Sequence, residues 1–179
     1  MATTPTRLMT FAEFERLPDP KCGHLELHHG EVIEVATPKH GHVLRQRRLL
    51  QLLEPAAGPE SIVWTEVGYK PLPDHEYWVA DVMLLSRERW DAIPDDGYLE
   101  TPPELVIEVL SPSNTAAELR EKKKLCLENG SREFWVVDMD YREVEVSTPD
   151  GRTITYNAGQ AIPLFFAPGI SIQVDDIFS

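Results

Sequence analysis

Residues 104–138 read ELVIEVLSPSNTAAELREKKKLCLENGSREFWVVD, and the order of chemistries in this stretch decides the fold. Leu105 to Leu110 is a short apolar run with a single carboxylate, Glu108, in its middle. Ser-Pro-Ser-Asn follows as a turn signal, then a helix-rich segment, then a second apolar run from Phe134 to Val137. Strand, crossover helix, strand is the expectation, with both strands covered on their two faces because their runs are nearly continuously apolar. A carboxylate inside such a run is costly, so buried ones are paired, hydrogen-bonded or bound to metal. The helix carries a matching oddity. Ala116, Leu119 and Cys126 mark its inward stripe at helical spacing, and Lys122 and Lys123 fall between them. A cation on the helix over an acid on the strand has the look of a site.

Outward from there, composition sets limits. The 179 residues suit one domain with an ordinary core, and 42% hydrophobic with 26% charged residues is a globular balance. No apolar run reaches membrane-spanning length, and MATTPTRLMTFAEF lacks a signal-peptide core. Cys22 and Cys126 form no metal or redox pattern, which points to a reducing, cytoplasmic setting. A net charge of −13 argues against a broad, nonspecific grip on nucleic acid, though not against a local basic groove.

Before the central unit, Thr10 and Glu13 form a capping box for a helix from Phe11 to Leu17. HLELHHGEVIEV reads as a hairpin turning at His29-Gly30. Pro38 introduces a helix over His40 to Leu53, with Val43, Leu44, Leu49, Leu50 and Leu53 as its apolar face and Arg45, Arg47 and Arg48 solvated. SIVWTEVGYKPLP and YWVADVMLLS are strands, the second with Asp81 at its centre, and Trp64, Trp78, Trp90 and Trp135 are assigned to the core. After the unit come an antiparallel addition, Glu143 to Ser147 and Thr153 to Asn157, and one more short strand with a terminal turn. There is no internal repeat or linker. A single α/β domain over 1–179 is expected.

Asp81 and Glu108 are the two mid-strand acids. Alternation places Asp81 with Val79 and Met83, and Glu108 with Val106 and Leu110. If the strands are neighbours in register, the acids meet, and the repulsion raises a pKa unless a cation intervenes. Mg²⁺ suits two oxygen ligands because it keeps several waters. Lys122 above the pair could then stabilise charge on a phosphate.

These residues and their surroundings resemble the Uma-two family of restriction-endonuclease-like proteins, within the PD-(D/E)XK nuclease superfamily. The resemblance runs from TFAEFERLPD to GISIQVDDIF and is most specific in LELHHGEVIEV, WVADV, PPELVIEVLSPSN and LREKKKLCLENGSREFWVVD. It implies a restriction-endonuclease-like α/β fold: a mixed central sheet flanked by helices, with an N-terminal hairpin and C-terminal strand additions. It further implies a Mg²⁺-dependent (Mn²⁺ possible) endonuclease acting on DNA, as a homodimer. Asp81 matches the metal-binding aspartate and Glu108 the acid of the next core strand. Lys122 matches a lysine moved onto the following helix, and Glu26 and His40 match other recurring polar positions. Ala80 replaces the signature proline, Leu110 the usual lysine, Cys126 a common tyrosine and Gly41 a glutamine.

Plainer readings stand beside these. Glu108 with Lys122 or Lys123 can be a structural ion pair, Asp81 an edge-strand acid, Glu26 a solvated hairpin group and His40 a cap. His40 and His42 lie two apart and do not face one another on a helix, so they make no metal pair. His28-His29 reads as turn polarity, and Lys123 and Lys124 as a solvated face. A catalytically inactive module of the same fold, binding nucleic acid or a protein partner, is the alternative function, and a small-phosphoester hydrolase a third.

Overall fold

A computed structural model describes residues 7–111 and 114–179. The elements in chain order are α1 (Phe11–Phe14), β1 (His24–His28), β2 (Glu31–Val35), α2 (His40–Ala57), β3 (Ser61–Tyr69), β4 (Trp78–Ser86), α3 (Arg87–Asp91) and β5 (Leu105–Val109). They continue with α4 (Ala116–Glu128), β6 (Glu133–Asp138), β7 (Glu143–Ser147), β8 (Thr153–Tyr156), β9 (Ala161–Pro163), β10 (Ser171–Gln173) and α5 (Val174–Ile177).

β5 and β6 are parallel neighbours joined by α4, and all five residues of β5 are buried. Four of them are aliphatic, each contributing about 1.5–3 kcal/mol by leaving water. Glu108 is the exception in the strand. The six-stranded sheet runs β3-β4-β5-β6-β7-β8, with the β5–β6 pair parallel and the remaining pairs antiparallel. α2 covers one face through Leu49 and Leu53, over Val82, Leu84 and Ile107. α4 covers the other through Cys126, over Met83, Val106 and Phe134. Pro112 and Ser113 of the Ser-Pro-Ser-Asn turn lie outside the described residues; on its flanks, Ser111 N–H donates to Asn114 Oδ1 at 2.8 Å.

The hairpin β1–β2 forms its own two-stranded sheet, turning through His29 and Gly30 at φ 49° and 73°. Its docking decides the site. Leu27 and Tyr77 exchange backbone hydrogen bonds of 2.8 and 2.9 Å, which ties β1 to the start of β4. Tyr77 then lies across Gly68 on β3, so tightly that a Cβ at position 68 would overlap the Tyr77 hydroxyl and ring. That ring is packed among Phe11, Phe14 and Tyr98 at centroid distances of 5.3–5.5 Å and has little room to yield. Gly68→Ala should therefore lower stability by roughly 1–3 kcal/mol, read as a shift in denaturation midpoint without change in slope.

Several expectations are corrected. α1 ends at Phe14, not Leu17. α2 continues through Pro55 to Ala57. Its buried face is His42, Gln46, Leu49 and Leu53, whereas Val43 and Leu44 are exposed. Arg45 and Arg48 are not simply solvated; they donate at 2.6 Å each to the carbonyls of Ile177 and Asp176 in α5. On α4 the inward pair is Lys122 and Cys126, and Ala116 is exposed. Lys123 pairs with Glu145 of β7 at 2.8 Å. Trp64 is 53% exposed rather than core, because β3 is an edge strand. The short strand expected in the tail is β10, and its antiparallel partner β9, just before the tail, was not foreseen. Among the described residues no helix is long and apolar enough to cross a membrane.

Candidate active site

β4 and β5 are antiparallel, with Val82 opposite Ile107 and Met83 opposite Val106. One step further along that ladder, Asp81 stands abreast of Glu108. The β3–β4 ladder pairs Thr65 with Val82 and Val67 with Ala80, so Glu66 stands abreast of Asp81 on the other side. Three acids thus occupy one level of three adjacent strands. Glu66 adopts φ 55°, a left-handed conformation that a glutamate takes at some cost and that interrupts the ladder where the acids gather.

Asp81 is fixed from three directions. Its Oδ1 accepts from His42 Nε2 at 2.9 Å and Gln46 Nε2 at 3.0 Å, and its Oδ2 from the Val109 N–H at 2.7 Å. Gln46 Nε2 also donates to Glu66 Oε1, so one amide spans two carboxylates. Burial of His42 works against its protonation, but the Asp81 hydrogen bond and the charges of Asp81 and Glu66 outweigh it and raise its pKa. His42 and Gln46 sit one turn apart on the inward stripe of α2, which explains how a helix otherwise packed through leucines delivers two polar groups to this point.

Glu108 meets the other layer. Lys122 Nζ on α4 lies 3.3 Å from Glu108 Oε2 and 3.4 Å from Glu26 Oε1, and all three side chains are buried. Glu26 arrives on the docked hairpin and is heavily supported. Its Oε2 lies 2.6 Å from His28 Nε2, and its Oε1 accepts from the Val79 N–H at 2.8 Å. Burial opposes its charge, yet Lys122, His24, His28 and that N–H together hold its pKa well below the carboxylate range. Burial likewise opposes the charge on Lys122, but Glu108 and Glu26 raise its pKa above the usual lysine value.

One lysine cannot serve two buried carboxylates equally. Glu26 has the additional donors and keeps its charge. Glu108 has burial first, then the negative charges of Asp81 and Glu26, acting against what Lys122 supplies, and its pKa is pushed up to about 8. Its Oε1 is buried and has no hydrogen-bond partner among the described residues. Below it, burial pushes the Cys126 thiol up to about 12, and Cys126 Sγ lies 3.3 Å from the Tyr69 hydroxyl. Cys126 is an inert packing group here.

The structure therefore brings Asp81, Glu108, Lys122 and Glu26 into one neighbourhood. His40, at the first position of α2, is exposed, and the histidine that reaches Asp81 is its neighbour but one, His42. His29 is more than turn polarity: its ring nitrogens lie 2.7 Å from Glu76 Oε1 and from Glu121 Oε1. Gln46 and Glu66 escaped the sequence reading, and His28, read as turn polarity, instead supports Glu26. The first left one legible trace, since His42, Gln46, Leu49 and Leu53 form a stripe at helical spacing that begins polar.

The six-stranded mixed sheet flanked by helices is of the restriction-endonuclease-like class of α/β fold. The crystal structure of "a putative nuclease belonging to DUF820" from Anabaena variabilis superposes with a TM-score of 0.81, covering 95% of this chain and 97% of that one at 22% identity. Residues 11–175 match the Uma2 family, described as "Putative restriction endonuclease", and the chain belongs to that family. A curated relative, Protein CFT1 of Candida glabrata, is 25% identical over 113 residues, which are 63% of this chain and only 8% of that protein's length.

Proposed function

We propose that the chain acts as one restriction-endonuclease-like domain, a Mg²⁺-dependent endonuclease that hydrolyses phosphodiester bonds of DNA. The observation that carries this reading is the pairing of Asp81, immobilised by three donors, with Glu108, whose buried Oε1 lacks a partner among the described residues. Among those residues no three His, Cys, Asp or Glu groups are arranged as a metal-ligand set. Mg²⁺ needs no such set. It binds through one or two carboxylates and keeps its remaining waters, and Mn²⁺ favours similar ligands. Two oxygens from adjacent strands fit that demand.

Asp81 and Glu108 would hold the ion, which when bound supplies an acidified water and neutralises charge on the phosphate. The protein's own work is preparation. His42, Gln46 and the Val109 N–H fix the Asp81 carboxylate before any ligand arrives, so little reorganisation remains. Glu108 would hold the ion as a carboxylate, through the buried oxygen that has no partner among the described residues. Lys122, held between Glu26 and Glu108, keeps a positive charge at the site's edge where a phosphate's negative charge develops. A homodimer with two-fold symmetry would present two such sites to two strands, in a reducing, cytoplasmic setting.

Asp81→Ala should reduce Mg²⁺- or Mn²⁺-stimulated plasmid cleavage by roughly 10²-fold or more, and calorimetry with Mn²⁺ should lose its binding signal. Cleavage at the wild-type rate would remove the proposal. The engagement of Lys122 by two acids, with the net charge of −13, favours a second reading: a noncatalytic module that binds nucleic acid or a protein partner. In that case wild type and Asp81→Ala would be equally inactive, and neither would bind the ion.

A further inference from the structure

A second concavity shares a wall with this site. It has a volume of about 280 Å³ and is built where α1 and the segment before β1 lie against the start of β4. Phe11, Phe14, Tyr77 and Tyr98 supply its aromatic surface, and Phe11 and Tyr77 each meet Tyr98 edge to face at 5.2 and 5.3 Å. Two of its other lining residues, His24 and Val79, also touch the candidate active site. The Val79 N–H donates to Glu26 Oε1, and His24 Nε2 lies 3.7 Å from the same oxygen. Glu26 in turn contacts Lys122. Two residues, the lining His24 or Val79 and then Glu26, therefore separate a ligand in the concavity from the lysine.

The lining narrows the ligand. Its ionisable members are Glu15, Asp19, His24 and the two tyrosines, with no lysine or arginine among the described lining residues. A phosphate would meet two carboxylates and no cation, so the pocket is unsuited to the backbone of a nucleic acid. A small organic cation is the rival ligand for two carboxylates among aromatic faces, although one aromatic group is already engaged. Lys70 Nζ already lies 4.4 Å from the centroid of the Phe11 ring while paired with Glu100 at 2.6 Å. A flat, neutral ring with N–H groups for Asp19 matches the aromatic faces as well as the remaining free carboxylate. His24 Nε2 is buried and faces Glu26 Oε1 at 3.7 Å, just beyond hydrogen-bond reach, so His24 couples the pocket wall to the acid rather than to the solvent. The volume is near the lower bound of small-molecule sites, about 300 Å³, which suits one heterocycle.

We infer that this aromatic pocket takes a single unstacked nucleobase of the strand whose phosphate lies at Asp81 and Glu108. The inference rests on the nuclease reading for its placement and goes beyond it in assigning the substrate's base a site. The base stacks against the tyrosine faces, as unpaired bases do on aromatic platforms. It directs its exocyclic N–H groups to Asp19, because Glu15 is already engaged by the Tyr98 hydroxyl. The same contact would register the sugar–phosphate backbone against the two acids of the sheet.

The test is binding of a short single strand, measured in EDTA so that no cleavage intervenes, against the same strand with one abasic position. Wild type should bind the intact strand about tenfold more tightly, and 2-aminopurine at the position should be quenched. Tyr98→Ala should erase the difference and Tyr98→Phe should keep it. If Tyr98→Ala does not fold, His24→Ala serves in its place and should reduce the discrimination. Equal binding of intact and abasic strands by wild type overturns the proposal. So does discrimination that persists in Tyr98→Ala, or displacement of the pocket's tyrosine fluorescence signal by tetramethylammonium but not by nucleosides. Cleavage in Mn²⁺ is read separately. Cleavage without base discrimination overturns the pocket alone, and base discrimination without cleavage overturns the nuclease reading alone.

Discussion

Lys122→Met is expected to lose roughly 3–5 kcal/mol of stability at pH 7, the cost of leaving one member of a buried ion pair without its partner. Methionine fills similar space with a flexible apolar chain, so the loss is electrostatic rather than a cavity effect. The burden falls on Glu26, which is 4% exposed and ionised well below the ordinary carboxylate range. The pH dependence follows from the direction of each shift. Glu26 has a depressed folded pKa, so its contribution is present above its unfolded value near 4.5 and lost on acidification. Lys122 has a raised folded pKa, so its contribution is present below 10.5 and lost as pH rises toward the folded value. The deficit of the variant should therefore be greatest between these limits and shrink at either end. Adding Glu26→Gln should recover much of it, because the orphaned charge goes with the lysine. Chemical denaturation of the four proteins of that cycle measures the coupling directly. A deficit below about 1 kcal/mol, or one untouched by Glu26→Gln, would mean that water reaches these groups and that the pair is not a buried one.

The cluster of Glu26, Lys122, Glu108 and Asp81 shows what sequence could and could not disclose. The β5–α4–β6 unit was legible because continuous apolar runs, a turn and a capped helix all agree on one local structure. Asp81 and Glu108 stood out because carboxylates inside apolar strands contradict that pattern. Their alignment needed only the neighbouring register of β4 and β5. The supporting side chains were less visible because they depend on contacts between distant segments. Glu26 looks like any hairpin glutamate until Leu27 and Tyr77 dock the hairpin on β4. Glu66 looks like an edge-strand residue until its left-handed backbone and Gln46 bring it beside Asp81. On α2 the apolar count favoured Val43 and Leu44, yet the face turned inward begins with His42 and Gln46. A stripe chosen by hydrophobicity alone misses a helix that trades packing for hydrogen bonds at one end. The arginines were misplaced for the opposite reason: backbone carbonyls of α5, which no residue pattern advertises, capture Arg45 and Arg48.

Glu108→Gln should stabilise the protein at alkaline pH while removing metal-dependent cleavage. The wild-type residue has a folded pKa of about 8 against 4.5 unperturbed. Between those values the folded state keeps a proton that the unfolded state has released, so stability falls as pH rises across the window and levels off above it. Glutamine escapes that loss because it never ionises, and its carbonyl can still accept from Lys122. The two proteins should therefore match near pH 5 and diverge by at least about 1 kcal/mol at pH 8, with the variant the more stable. Loss of the carboxylate should cost cleavage roughly 10²-fold or more over the whole range. Proton release links the two effects. If Glu108 ligates an ion, Mn²⁺ binding at pH 7 should expel close to one proton from wild type and none through position 108 in the variant. Calorimetry in buffers of different ionisation enthalpy reads that number without any cleavage assay. A variant less stable than wild type at pH 8 would show that Lys122 holds Glu108 ionised, making it a structural partner rather than an acid kept in reserve for a cation. Greater stability with lost activity would identify Glu108 as a position where burial of a charge is tolerated for function, as sites that strain a local rule commonly are.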